Sequence, residues 1–101
     1  MTVRFAVEAR QDILETYAWY EQRRIGLGEE FLLCMEEAQE RILRYPTLSM
    51  EVYEHYRRHL LRRFPYVLYY RIVNDSILIM GVFHTRRNPA FVKERLFHTN
   101  N

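Results

Sequence analysis

Apolar positions recur with two different periods along this chain, and the change falls near Pro46. Before it, the spacing is mostly helical. Thr2–Val7 sets Val3, Phe5 and Val7 against Thr2, Arg4 and Ala6, the period of two of a half-buried strand. Ala9–Arg24 then changes period. Ile13, Tyr17 and Tyr20 stand at i, i+4 and i+7, with Leu14 and Ala18 widening the stripe, which predicts an amphipathic helix. Gly26 and Gly28 around Leu27 stop it, because glycine accepts the left-handed geometry that closes a helix. Gly28–Tyr45 is the clearest helix. Phe31, Met35, Ala38, Ile42 and Tyr45 form a continuous seam at spacings of four and three. Glu29 and Glu30 lie in its first turn and Arg41 and Arg44 in its last, both favourable to the helix dipole. Pro46 ends it. The short Ile25–Gly28 connection predicts an antiparallel helical hairpin.

Beyond Pro46 the period is two. Thr47–Tyr56 reads as loop with at most a short extended piece at Glu51–Tyr53. Three strands are predicted at Arg57–Phe64, Tyr66–Val73 and Ser76–His84. Asn74-Asp75 suits a two-residue hairpin turn. Phe64-Pro65-Tyr66 marks another tight connection, since proline offers no ladder donor. Tyr66, Leu68, Tyr70 and Ile72 share one face of the middle strand, and Val67, Tyr69, Arg71 and Val73 share the other. The last strand is apolar on both faces and is therefore expected to be central and covered. Pro89 opens a short helical turn, Ala90–Phe97. The predicted order, β-αα-βββ, is an α+β class with the hairpin on one face of a mostly antiparallel sheet.

At 101 residues the chain has room for one domain, expected to span 1–101. No apolar run approaches the roughly 18 residues of a membrane span, and Met1–Phe5 has no secretory apolar core. A single cysteine, Cys34, leaves no intrachain disulfide, and the expectation is a reducing, cytoplasmic setting. Charge changes the picture more. Of 15 basic residues only Lys93 is a lysine. Residues 1–45 carry six arginines against nine acids, and residues 46–101 carry nine basic residues against four acids. A basic second half points to an anionic partner, nucleic acid or an acidic peptide; the plain alternative is a solvated basic surface.

The common nucleotide-binding, serine-hydrolase and zinc-protease motifs are missing. His55 and His59 flank Arg57-Arg58, a pair that repels a cation, so no metal and no cofactor are expected. Two constellations remain. Arg57-Arg58-His59-Leu60-Leu61-Arg62-Arg63 presents arginine on both faces of a strand, which places it at an edge or a solvated surface. Phe83-His84-Thr85-Arg86-Arg87-Asn88-Pro89 runs an apolar strand into an imidazole and two guanidiniums, where loops tend to carry sites. A histidine to move protons and an arginine to meet phosphate charge are a minimal kit for cutting RNA without metal. The structural alternative is that His84 bonds a loop and Arg86 pairs with a helix acid.

The run Arg57–Ile72, a basic strand followed by Arg63-Phe64-Pro65-Tyr66 and an aromatic strand, resembles the RelE/ParE superfamily of bacterial toxins. Val82-Phe83-His84-Thr85-Arg86-Arg87-Asn88-Pro89 resembles its V-x-H-x-R-R-x-P signature, and Ala9-x-x-Asp12-Ile13, Tyr20 and Gly26-Leu27-Gly28-x-x-Phe31 resemble its helical hairpin. The resemblance covers about residues 3–97. It implies the toxin of a type II toxin–antitoxin system, neutralised by a protein antitoxin encoded beside it. It also implies assembly as a toxin–antitoxin hetero-oligomer or a homodimer.

The superfamily divides by target. RelE-like members cut mRNA in the ribosome without metal; ParE-like members inhibit DNA gyrase. A ribonuclease here would draw on His84, Arg86 and Arg58 as catalytic residues. Departures weigh against that set: Val67 stands where RelE-like enzymes place an arginine, the Arg57–Arg63 strand has no lysine, and Phe91 and Val92 stand where a catalytic Tyr or His is common. The expectation is therefore gyrase inhibition, with the ribonuclease and an inert antitoxin-binding relative as alternatives. Arg57, Arg58, Arg62, Arg63, Arg86 and Arg87 are the expected partner-binding residues, facing an acidic, amphipathic antitoxin segment that folds on binding.

Overall fold

The computed structural model describes residues 1–98; positions 99–101 of the expected domain lie outside the described residues. In chain order the elements are β1 (Thr2–Phe5), α1 (Val7–Arg23), α2 (Leu27–Arg44), β2 (Met50–Val52), β3 (Tyr56–Leu60), β4 (Tyr66–Val73), β5 (Ser76–His84) and α3 (Pro89–His98). The five strands form one sheet in the order β1-β5-β4-β3-β2, antiparallel except for the parallel pair β1–β5. The α+β class, the hairpin and the inner place of β5 agree with the sequence reading.

The helical hairpin is built as its residues dictate. Gly26 takes φ 92, a left-handed conformation that glycine adopts without a Cβ penalty. Gly28 is needed for a different reason: a Cβ there would meet the Tyr17 ring at 2.8 Å. Glu21 of α1 accepts hydrogen bonds from the Gly26 and Gly28 N–H groups, both at 3.0 Å, and so caps the start of α2 from the neighbouring helix.

From α2, Phe31, Met35, Ala38 and Ile42 are buried, and they share the core with Leu68 and Tyr70 of β4. Two buried tyrosines find acceptors. Tyr70 Oη donates to the Pro46 carbonyl at 2.7 Å, and Tyr56 Oη to the Leu96 carbonyl at 2.8 Å. Burial raises the Tyr70 pKa above the ordinary phenol range.

Several sequence expectations need correction. Tyr45 does not continue the seam; it is the residue that closes α2, with φ −135 and ψ 70, and is 51% exposed. Leu14 is 67% exposed and Ala18 is exposed as well, because the buried stripe of α1 turns through Ala9, Thr16 and partly buried Ile13 and Tyr20 instead. The helix also begins earlier, at Val7. The basic strand ends at Leu60 rather than Phe64, since Leu61 and Phe64 turn into the core and the Tyr66 N–H closes back on the Phe64 carbonyl at 2.7 Å. Met50–Val52 is a true edge strand paired with β3. The C-terminal turn is a ten-residue helix that buries Val92 and Leu96.

Two details of the sheet shape one of its ends. β1 pairs with β5 only from Ser76 to Ile79, while β5 runs on to His84. A bulge also interrupts β4–β5: Tyr69 faces Gly81 and Tyr70 faces Ile79, so Met80 has no partner across the ladder. The upper half of β5 thus carries an edge not covered by β1, and α1 and α3 meet there.

Candidate functional site at the free end of β5

Asp12 of α1 occupies this edge. Its carboxylate accepts from the Val82 N–H at 3.0 Å and from Arg95 of α3 at 3.1 and 2.5 Å, a two-pronged ion pair across 83 residues of sequence. Both side chains are largely buried, 13% exposed for Asp12 and 24% for Arg95. The Arg95 guanidinium also lies 4.6 Å from the centre of the Phe83 ring. Three elements are joined here by one carboxylate.

Above this floor opens a cavity of about 510 Å³ between α1, the end of β5 and α3. One stripe of α1 lines it with Glu8, Asp12, Glu15 and Trp19, at i, i+4, i+7 and i+11. The far wall holds Tyr66, His84, Arg87 and Phe91. His84 is not a loose imidazole. Its Nδ1 accepts the Arg86 N–H at 3.0 Å, and its ring meets Tyr66 edge-on with centres 5.2 Å apart. Arg87 lies over Phe91 at 4.1 Å, and Arg86 is exposed on the turn.

The basic strand is divided in its tasks. Arg57 donates to the carbonyls of Thr47 at 3.1 Å and Ser49 at 2.8 Å, holding the α2–β2 connection. Arg58 is exposed and stands opposite Tyr69 in the ladder. His59 turns towards the α2 side, where its Nδ1 lies 3.2 Å from Ser49 Oγ; burial, and then the Arg41 charge, lower its pKa. Arg62 and Arg63 leave the strand. Arg63 reaches Glu30 of α2 at 2.8 Å, and Arg24 joins the same carboxylate at 3.1 Å. The Arg63 hydrogen bond, then that of Arg24, holds the Glu30 pKa below its ordinary value.

Among the expected catalytic residues, His84 and Arg86 are brought together and Arg58 is not. Tyr66 pairs with His84 and Tyr69 with Arg58, and positions three apart on a strand point to opposite faces. Asp12, Arg95, Glu8, Glu15 and Trp19 were not singled out as site residues by sequence reasoning. The i, i+4, i+7, i+11 stripe of α1 was the available signal; nothing local marks Arg95 as its partner.

A model of the family described as ParE toxin of type II toxin–antitoxin system, parDE, matches residues 3–89. Toxin ParE2 of Mycobacterium tuberculosis, in strains CDC 1551 / Oshkosh and H37Rv, is 27% identical over 99 residues, covering 95% of this chain and 94% of the relative. Among solved structures, the chromosomal ParDE toxin–antitoxin system from P. aeruginosa is similar in fold, with TM-score 0.63 and 17% identity over 83% of this chain and 95% of the matched one. A family match running from β1 through the turn after β5 takes in the hairpin, the sheet and the α1 and β5 walls of the cavity, though not Phe91 or Arg95: the chain belongs to the ParE toxin family of type II toxin–antitoxin systems.

Proposed function

We propose that this chain is a growth-inhibiting toxin that acts in the cytoplasm on DNA gyrase and is silenced by a protein antitoxin encoded beside it. The observation that carries the gyrase reading is the division of the basic residues between opposite faces of the sheet. Arg58 stands on one face and His84 on the other, and His84 already spends Nδ1 on the Arg86 amide. That arrangement suits an interface that spreads its contacts rather than a centre that converges on one phosphate. The antitoxin reading draws on the family and on the exposed cations. Among the described residues Arg58, Arg62 and Arg86 are exposed and form no ion pair, so an acidic segment would find them available.

Expression of the chain alone in a bacterium tests this. Gyrase inhibition yields filamentation and a DNA-damage response with intact mRNA, and the purified chain blocks supercoiling by gyrase. Substitutions at His84, Arg86 and the aromatic anchors then lower toxicity by degrees, by at most about 2 kcal/mol each. Codon-phased mRNA cuts that vanish in His84→Ala, with fold and antitoxin binding intact, would replace this reading with the ribonuclease. Normal growth at verified expression of folded chain would leave an inert antitoxin-binding relative.

A further inference from the structure

Three turns meet at one end of the sheet, and each carries a pair of arginines. Arg23 and Arg24 close α1, Arg62 and Arg63 occupy the β3–β4 turn, and Arg86 and Arg87 the β5–α3 turn; all six are exposed. Contacts tie these turns together. Glu30 binds Arg24 at 3.1 Å and Arg63 at 2.8 Å, and the Thr85 N–H donates to the Pro65 carbonyl at 2.9 Å. Acids do not balance the cluster. Glu21 is engaged by the Gly26 and Gly28 amides, and the single Glu30 carboxylate serves two guanidiniums. Glu29, in the first turn of α2, is the other acid here. Among the described residues Arg23, Arg62, Arg86 and Arg87 form no ion pair. Chain position hides this cluster, because Arg23 and Arg24 belong to the half in which acids outnumber arginines.

The rings at this end narrow what the arginines can meet. Trp19 and Phe91 are exposed, but Arg23 lies 3.8 Å over the first and Arg87 4.1 Å over the second. A covered ring offers no platform to an unpaired base, which binding of single-stranded nucleic acid requires. A guanidinium held over a ring is placed in advance, yet keeps N–H edges for a phosphate. Charges spread over three turns suit a target whose own charge is spread, and a DNA duplex carries one phosphate charge for about every 1.7 Å of its axis.

We infer that this end of the molecule binds the sugar–phosphate backbone of duplex DNA, without regard to base sequence. The inference deepens the gyrase reading and rests on it for where the duplex is met: the chain touches the DNA that the enzyme holds.

The test is fluorescence anisotropy of the purified full chain on labelled duplexes of about 20 base pairs, with no gyrase present. Four cations without an acid partner predict an affinity that falls about 150-fold between about 50 and 200 mM salt, and equally for two unrelated sequences. Arg62→Gln combined with Arg86→Gln removes two of those cations and cuts that fall to about tenfold, with the parent's melting temperature. Arg44→Gln, roughly 25 Å away at the far end of α2, keeps the parent's salt dependence. Absence of binding at about 50 mM salt overturns the inference. So does tighter binding to single-stranded DNA or to poly-glutamate, or an Arg44→Gln effect as large as that of Arg62→Gln alone. Supercoiling by gyrase that is blocked by a chain unable to bind the duplex also overturns it, and leaves the gyrase reading standing. Duplex binding as described, with supercoiling untouched, removes the gyrase reading and leaves the DNA contact.

Discussion

The two ends of α1 hold the protein together by different means. Towards the hairpin turn, Tyr20, Phe31, Phe64 and Tyr66 meet as rings 4.8–6.1 Å apart, the start of an apolar seam that α2 continues along its length through Met35, Ala38 and Ile42. Near its start, α1 is joined to β5 and α3 through Asp12, Arg95 and one backbone amide. The first region gains from area removed from water, which is insensitive to direction. The second depends on geometry, and an error there leaves a charge unpaired. It is also the region with an open cavity.

The sharpest way to break the contrast is to put the second kind of chemistry into the first region. Met35→Asp places an unpaired charge in the apolar core, at a cost of several kcal/mol in a domain with about 5–10 to spare. The variant should be unfolded at room temperature by circular dichroism. A folded Met35→Asp with the parent's melting temperature would refute the seam.

Next comes the polar link. Asp12→Ala removes the carboxylate that holds Arg95 and the Val82 amide and should cost about 3–5 kcal/mol, read by denaturant unfolding. Arg95→Met in that background should recover part of the loss, since removing both partners is far cheaper than removing one. No recovery would mean that the carboxylate matters to the sheet edge alone.

The smallest effect concerns His59. Its folded pKa lies below the ordinary 6.5, mainly through burial. Above 6.5 both folded and unfolded states hold it neutral, and stability is at its plateau. Below 6.5 the unfolded chain takes up the proton first, so stability falls as pH drops towards the folded value and then levels. The melting temperature of the parent should therefore fall relative to His59→Gln between about pH 7 and pH 5. Parallel curves would remove His59 from the acid response.

Local sequence determined much of this protein. A period of four and three with acids first and arginines last specifies α2 without reference to anything distant. Gly26 and Gly28 specify the hairpin, and Asn74-Asp75 the tight β4–β5 turn, with Asn74 at φ 53. The motif order around Arg57–Tyr66 and Val82–Pro89 specifies the family. What only the tertiary structure decided is which segments become neighbours. Parallel β1–β5 pairing, the division of Arg58 from His84, and the return of Arg95 to Asp12 are contacts between residues far apart in the chain. Side-chain periodicity reports which face of an element is apolar, but carries no information on what will cover it. The cavity exists because β1 stops at Phe5, opposite Ile79, while β5 continues to His84, a mismatch of lengths that neither strand's own sequence records.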